Sequence, residues 1–275
     1  MHRKELDPES SAAAAFGERI RRHRDEHGWT QEELGKRMGC SGTHISAVET
    51  GRRPPTRRFA ERADRVFGTG DRLERQSRAV RHTAVLEGFP EYVTHEMRAA
   101  EVRLYEVGII PGILQTAEYA SALTVRTVER GAITSEQGDE RMSLIKERQA
   151  ALLRTPPPLV FVVLDESCLR VPVGSPEVMD AQLARLIEFA ALPNTVLQVA
   201  PFAMGDRRSI RLPLYILTTQ SRSLVSYAES AHRGQLERET SSVVPILTAY
   251  HQLQAEALSQ AASVAMINQL RKGTP

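Results

Sequence analysis

The stretch CSGTHISAVETGRRPP, residues 40–55, gathers side chains suited to reading nucleic acid. Ser41, Thr43, His44 and Ser46 carry short hydroxyls and an imidazole, groups that hydrogen-bond base edges; a threonine methyl also packs against a thymine methyl. Arg52, Arg53, Arg57 and Arg58 follow directly, and a guanidinium grips phosphate through paired N–H donors. Gly42 stands in the same leading turn and has no side chain to offer, so base choice is expected to rest on Thr43, His44 and Ser46, helped by DNA shape.

Other chemistries find less support. Asp165 and Glu166 close one β-rich run and Glu229 another, which would be a start for a carboxylate cluster. A metal-dependent nuclease needs such a set beside a lysine, but past the N-terminal region only Lys146 and Lys272 occur, neither on these runs. His95, His232 and His251 lack metal-ligand spacing, and the chain has no phosphate-binding glycine loop and no Gly-x-Ser-x-Gly. These acids are expected to face solvent or pair with arginines. No enzyme activity, catalytic residue, metal or cofactor is expected.

The candidate reading residues need a scaffold, and local signals supply one. Phe16 and Ile20 stand four apart opposite the charged positions Glu18, Arg21, Arg22 and Asp25, and Gly28 ends this first helix. Thr30 and Glu33 form a Thr-x-x-Glu capping box for a second helix with Leu34 and Met38 inward, and Gly39 supplies the turn. Ser41 caps a third helix, with Ile45 and Val48 inward, which runs out at Thr50-Gly51. A fourth carries Phe59, Ala63, Val66 and Phe67 and stops at Gly68; Asp71 with Glu74 is expected to cap a fifth. Residues 1–12 read as a disordered leader, 13–87 as a helical domain, and the breaker EGFP at 87–90 as the boundary.

Residues 91–275 mix helix and strand signals. A helix is expected around 91–101, another after the bend at Pro111-Gly112, a charged amphipathic one over 135–154, and one opened by Ser175-Pro176. LVFVVLDE at 159–166, TVLQVAP, LPLYILTT and SLVSYAE read as antiparallel-looking strands, and a broken helix runs from near Val243 almost to Leu270. The combination predicts an α+β fold for this part.

Charge agrees with the division. Residues 16–82 carry 16 basic against 10 acidic side chains, whereas 83–275 carry 18 against 21. A polyanion partner suits the first part and a different partner the second. Cys40 and Cys168 are far apart, which argues against a disulfide framework or structural zinc. With no membrane-length apolar run and no signal sequence, a cytoplasmic, nucleoid-associated protein is expected.

Two capped helices around a glycine turn match a helix-turn-helix. WTQEELGKRMGCSGTHISAVETGRRPP resembles the Xre-type helix-turn-helix family through Thr-Gln-Glu-Glu-Leu, the turn glycine, Ile-Ser-x-x-Glu and Gly-Arg-x-x-Pro. The resemblance implies a mainly α five-helix domain in which Gln31 bonds the DNA backbone and buttresses the reading helix. Ser41, Gly42, Thr43, His44 and Ser46 would occupy its groove-facing start, with Glu49, Gly51 and Arg52 at its exit. The family often carries a longer polar residue where Gly42 stands. YEVGIIPGILQTAEYASAL, ERQALLRTPPPLVFVVLDESCLR, VMDAQLARLIEFAALPNTVLQVAPF and VSYAES resemble the C-terminal domain of WhiJ-like, antitoxin-like actinobacterial regulators, a domain of unassigned activity. The expected function is a regulator, a repressor in particular, that binds double-stranded operator DNA as a homodimer. Its C-terminal domain would bind a small protein encoded nearby or a small-molecule effector. The alternative is an antitoxin-like protein that chiefly sequesters its partner.

Overall fold

A computed structural model of the chain describes residues 12–53, 55–81, 88–229 and 234–273. Of the leader expected at 1–12, only Ala12 is among them, as the first residue of a helix, and Glu87 of EGFP and His232 also lie outside. The chain divides into two compact units, one up to Pro90 and one from Glu91.

The first unit is helical: α1 (Ala12–Glu26), α2 (Gln31–Met38), α3 (Gly42–Glu49), α4 (Arg57–Phe67) and α5 (Arg72–Arg81). Phe16, Ile20, Leu34, Met38, Ile45, Val48, Phe59 and Leu73 form one buried core, with Trp29 and Phe67 packed against it. The start of α5 differs from expectation. Asp64, buried on α4, accepts the Leu73 amide at 2.9 Å, the Glu74 amide at 2.8 Å and the Thr69 hydroxyl at 2.5 Å. Asp71, the expected cap, instead pairs with Arg75 at 2.8 Å. A buried carboxylate meets several donors at once, which an exposed one cannot do as well.

The second unit is built on a sheet of β1 (Glu101–Glu106), β2 (Leu159–Asp165), β3 (Thr195–Ala200), β4 (Leu214–Thr218), β5 (Leu224–Glu229) and β6 (Gly234–Glu237), in the order β3-β2-β1-β4-β5-β6. The expected α+β class holds, but the sheet is mixed. β1, β2 and β3 run parallel, with Leu104 beside Val162 and Val162 beside Leu197, while β4, β5 and β6 complete it antiparallel. Parallel neighbours need long crossovers. The first carries α7 (Ala117–Glu129) and α8 (Ser135–Leu152), the second α9 (Ser167–Arg170) and α10 (Pro176–Ala190).

The helix expected around 91–101 is shorter, α6 (Phe89–Glu96), and β1 takes up the residues after it. Arg148 on α8 ties itself to α6 through Glu96 at 2.6 and 2.8 Å, both side chains buried. The broken C-terminal helix is α11 (Thr240–Glu256) followed by α12 (Gln260–Arg271). Val243, Tyr250 and Leu253 of α11 pack on one sheet face against Tyr105, Val163 and Ile216. The edge of β3 is covered: Gln260 accepts from the Leu197 amide and Ser263 from the Val199 amide, at 3.1 and 2.9 Å. Those contacts remove an exposed strand edge that would otherwise invite aggregation.

Candidate nucleic-acid interface

The helix-turn-helix is assembled by short-range capping. The Thr30 hydroxyl accepts from the Glu33 amide at 3.2 Å and Glu33 accepts from the Thr30 amide at 2.7 Å, closing the expected capping box. Gly39 takes the left-handed conformation at φ 65°, so the Cys40 amide reaches back to the Gly35 carbonyl at 2.9 Å. Arg62 of α4 seals this turn, donating to the Met38 carbonyl at 2.9 Å and the Gly39 carbonyl at 3.3 Å. Ser41 then caps α3 by accepting from the His44 amide at 3.2 Å.

Gly42 is explained by packing. A Cβ there would lie 3.0 Å from Glu32 Cγ and 3.2 Å from the Glu32 backbone nitrogen. The start of α3 therefore runs against the start of α2, and the missing side chain allows that approach.

Burial divides α3 into two sides. Ile45, Val48 and Glu49 are buried, whereas Thr43 is exposed and Ser46, Ala47 and Thr50 are partly so. At helical spacing the latter four share one stripe. Ala47 belongs to this stripe although the sequence reading passed over it; its place four residues after Thr43 was the available signal. His44 turns aside. Its ring stacks on Phe59 of α4 with centroids 5.4 Å apart and planes 10° apart, and its Nε2 is shielded from solvent.

The far end of α3 is held by a buried charge. Glu49 is fully buried and accepts from Arg24 Nε at 2.5 Å and Nη2 at 3.2 Å, and from Gln31 Nε2 at 2.7 Å. Arg24 also donates to the Trp29 carbonyl at 2.8 Å. Burial opposes the Arg24 charge, but hydrogen bonding and attraction to Glu49 outweigh it and raise its pKa. Gln31 on α2 thus reaches α3 through Glu49. Arg24 was missed although it stands four residues after Ile20 and eight after Phe16, on the buried stripe of α1; that spacing was the available signal.

The arginines beyond α3 lie at its exit. Arg52 is exposed and donates to the Thr50 hydroxyl at 2.9 Å; the Arg53 amide bonds the Ala47 carbonyl at 3.1 Å. Arg57 is exposed and pairs with Glu61 at 2.8 Å, and Arg58 is exposed as well. Surface pairs of this kind contribute about 0–1 kcal/mol, so a phosphate can displace one at small cost.

The three acids singled out in the second unit are each engaged. Asp165 pairs with Arg208 at 2.9 Å, Glu166 with Arg170 at 2.5 Å, and Glu229 accepts from the Tyr227 hydroxyl at 3.0 Å. Among the described residues no group of His, Cys, Asp and Glu is arranged to hold a metal, and no helix is long and apolar enough to cross a membrane.

An α-helical reading head with a capped, exposed second helix defines the chain's first unit as a helix-turn-helix DNA-binding module. Comparison agrees: residues 15–77 match the helix-turn-helix domain model, and residues 89–269 match a domain of unknown function, DUF5753. The chain belongs to the DUF5753 family, whose domain spans about two thirds of it. Over 49 residues it is 47% identical to an uncharacterized HTH-type transcriptional regulator of Methanothermobacter thermautotrophicus, covering 18% of this chain and 71% of that protein. No solved structure matches the chain.

Proposed function

We propose that the protein is a transcriptional repressor of the Xre type and WhiJ-like group that binds operator DNA as a homodimer, with the DUF5753 domain as its sensing half. The observation that carries the DNA reading is the exposed stripe of Thr43, Ser46, Ala47 and Thr50 on a helix anchored at both ends, by Ser41 and by Glu49. In this reading Thr43 and Ser46 meet base edges and Ala47 a thymine methyl. The N-terminus of α3 faces phosphate, favoured by its unsatisfied amides, while Arg52, Arg53 and Arg57 take the flanking backbone. His44 serves by locking α3 on Phe59, and Gln31 by holding Glu49, with a backbone contact of its own.

The sensing domain binds either a small protein encoded nearby or a small molecule, and biases the spacing of two heads. Selection of bound sequences from a random DNA pool, followed by sedimentation of the complex, tests this. A two-fold symmetric consensus with half-sites about one helical turn apart, bound by two chains, is expected. Binding without any sequence enrichment would overturn it. Gel filtration with the products of neighbouring genes tests the partner. A partner toxic when free and silent when bound assigns sequestration, not repression, as the main role.

A further inference from the structure

The parallel strands β1, β2 and β3 end side by side at Glu106, Asp165 and Ala200, and the crevice outside the carboxyl ends of such strands is where open sheets with crossover helices bind small molecules. A cavity of about 410 Å³ opens there, lined by Tyr105, Asp165, Gly205, Asp206, Arg208 and Arg211. Small-molecule sites typically span about 300–1,000 Å³.

Its inner wall is polar and preorganised. Asp165, 3% exposed, accepts from the Ser167 amide at 2.9 Å, the Ser167 hydroxyl at 2.5 Å and Arg208 Nη2 at 2.9 Å. Tyr105 also bonds Asp165; burial first, and then this carboxylate, push the phenol up to about 12. Arg208 Nη2 reaches the carbonyls of Ala200 and Pro201 as well, at 3.2 and 2.8 Å. Arg208 Nε, closed to solvent, meets no acceptor among the described residues. At the rim Asp206 and Arg211 are exposed, and neither makes an ion pair or side-chain hydrogen bond among the described residues. Gly205, at φ 56° and ψ −126°, presents bare backbone with nothing within 4 Å of where a Cβ would stand.

We propose that this cavity binds a small zwitterion, a free α-amino acid or a dipeptide. Its carboxylate lies on Arg211, and its ammonium lies on Asp206. The two aspartates and two arginines of the lining sum to zero charge, which suits a neutral zwitterion and sets two carboxylates against a phosphate dianion. The regulatory meaning rests on reading residues 89–269 as the sensing half; the binding does not.

The test is calorimetric titration and thermal melting of the full chain with each proteinogenic α-amino acid and a set of dipeptides. At least one is expected to bind one per chain and raise the melting temperature. Arg211→Ala and Asp206→Asn should each weaken it about tenfold or more while melting like the wild type without ligand, since both residues are exposed. Acetylating the ligand's amine or amidating its carboxylate should cost as much. Absence of binding across the panel, capped ligands that bind as well, or variants that bind like the wild type would each overturn the proposal. DNA retention measured on the same samples separates the two readings. A ligand that binds without changing DNA affinity removes the sensing role and leaves the site.

Discussion

Replacing Glu49 by alanine probes the anchor of the reading helix directly. The carboxylate is fully buried and takes two bonds from Arg24 and one from Gln31, so its removal leaves the almost wholly buried guanidinium with only the half-exposed Asp25, at 2.6 Å, as a charged partner. Breaking one side of a buried ion pair costs about 3–5 kcal/mol, because the surviving charge keeps its desolvation penalty. Against a total stability of about 5–15 kcal/mol that is a large share. For a unit of this size each kcal/mol moves the melting temperature by about 4–8 °C, so a fall of about 12 °C or more is expected. The chain supplies its own reporter: Trp29 is the only tryptophan, and Arg24 bonds its carbonyl. Urea titration followed by Trp29 fluorescence therefore reads the first unit alone, and near-UV dichroism of the six tyrosines, all beyond residue 91, reads the second. Only the first transition should move. The Arg24→Leu, Glu49→Leu double variant should recover much of the loss, since it leaves no lone charge. A Glu49→Ala protein whose Trp29 transition coincides with the wild type would refute the anchor.

The remaining predictions concern both units. On the reading face, Thr43→Ala should cost about 1 kcal/mol or more of operator affinity and relax base preference; His44→Ala should weaken all sequences alike, as fits a residue that positions α3 against Phe59. Competition binding to matched and mismatched sites tells these apart, and the reverse pattern would exchange their roles. Arg53→Ala should make the slope of log affinity against log salt shallower by about 0.9; an unchanged slope removes it from the phosphate footprint. Gly42→Gln should destabilise the first unit by about 1–3 kcal/mol, read by Trp29 fluorescence, because its Cβ meets Glu32 at 3.0 Å. In the second unit, burial pushes the Glu106 carboxyl up to about 7, partly offset by its hydrogen bond from Tyr215. A folded pKa above the unfolded value means that stability is highest at low pH and is lost as pH rises through about 7. At about 1.4 kcal/mol per tenfold the loss is on the order of 3 kcal/mol. Glu106→Gln should remove that slope and leave the second unit more stable than the wild type at pH 8, by near-UV dichroism; an unaltered slope assigns it to other groups.

What the sequence disclosed follows the range of each interaction. The caps at Thr30, Ser41 and Ser175 and the turn at Gly39 act within a few residues, and each appears as expected. β1 escaped notice because residues 102–106 were given no element between the helix expected around 91–101 and the bend at Pro111-Gly112; what makes EVRLYE a strand is pairing with residues 159–164 and 214–218. β6 has four residues at a sheet edge and carries no apolar alternation. The parallel order of β1, β2 and β3 was hidden for the same reason, since strand direction is set by crossovers and not by composition. In the first unit the types at the reading helix were legible, but their directions were not: His44 faces Phe59, and Ala47 joins the exposed stripe only when burial is known.

The stripe also sets a limit on what one head can achieve. Thr43, Ser46, Ala47 and Thr50 are short, and none makes the bidentate contacts that Arg, Gln or Asn make with a purine. Two or three such contacts at about 1–2 kcal/mol each give about 2–6 kcal/mol of discrimination. Operator binding needs about 4–10 kcal/mol over non-specific DNA. One head reaches only the lower part of that range, whereas two heads on a symmetric site span it. Gly42 tightens the limit: it offers no side chain, and a longer residue at this position must push Glu32 aside, since its Cβ meets Glu32 Cγ at 3.0 Å. On the proposed reading, a second copy supplies the missing discrimination, which is why that reading includes a homodimer.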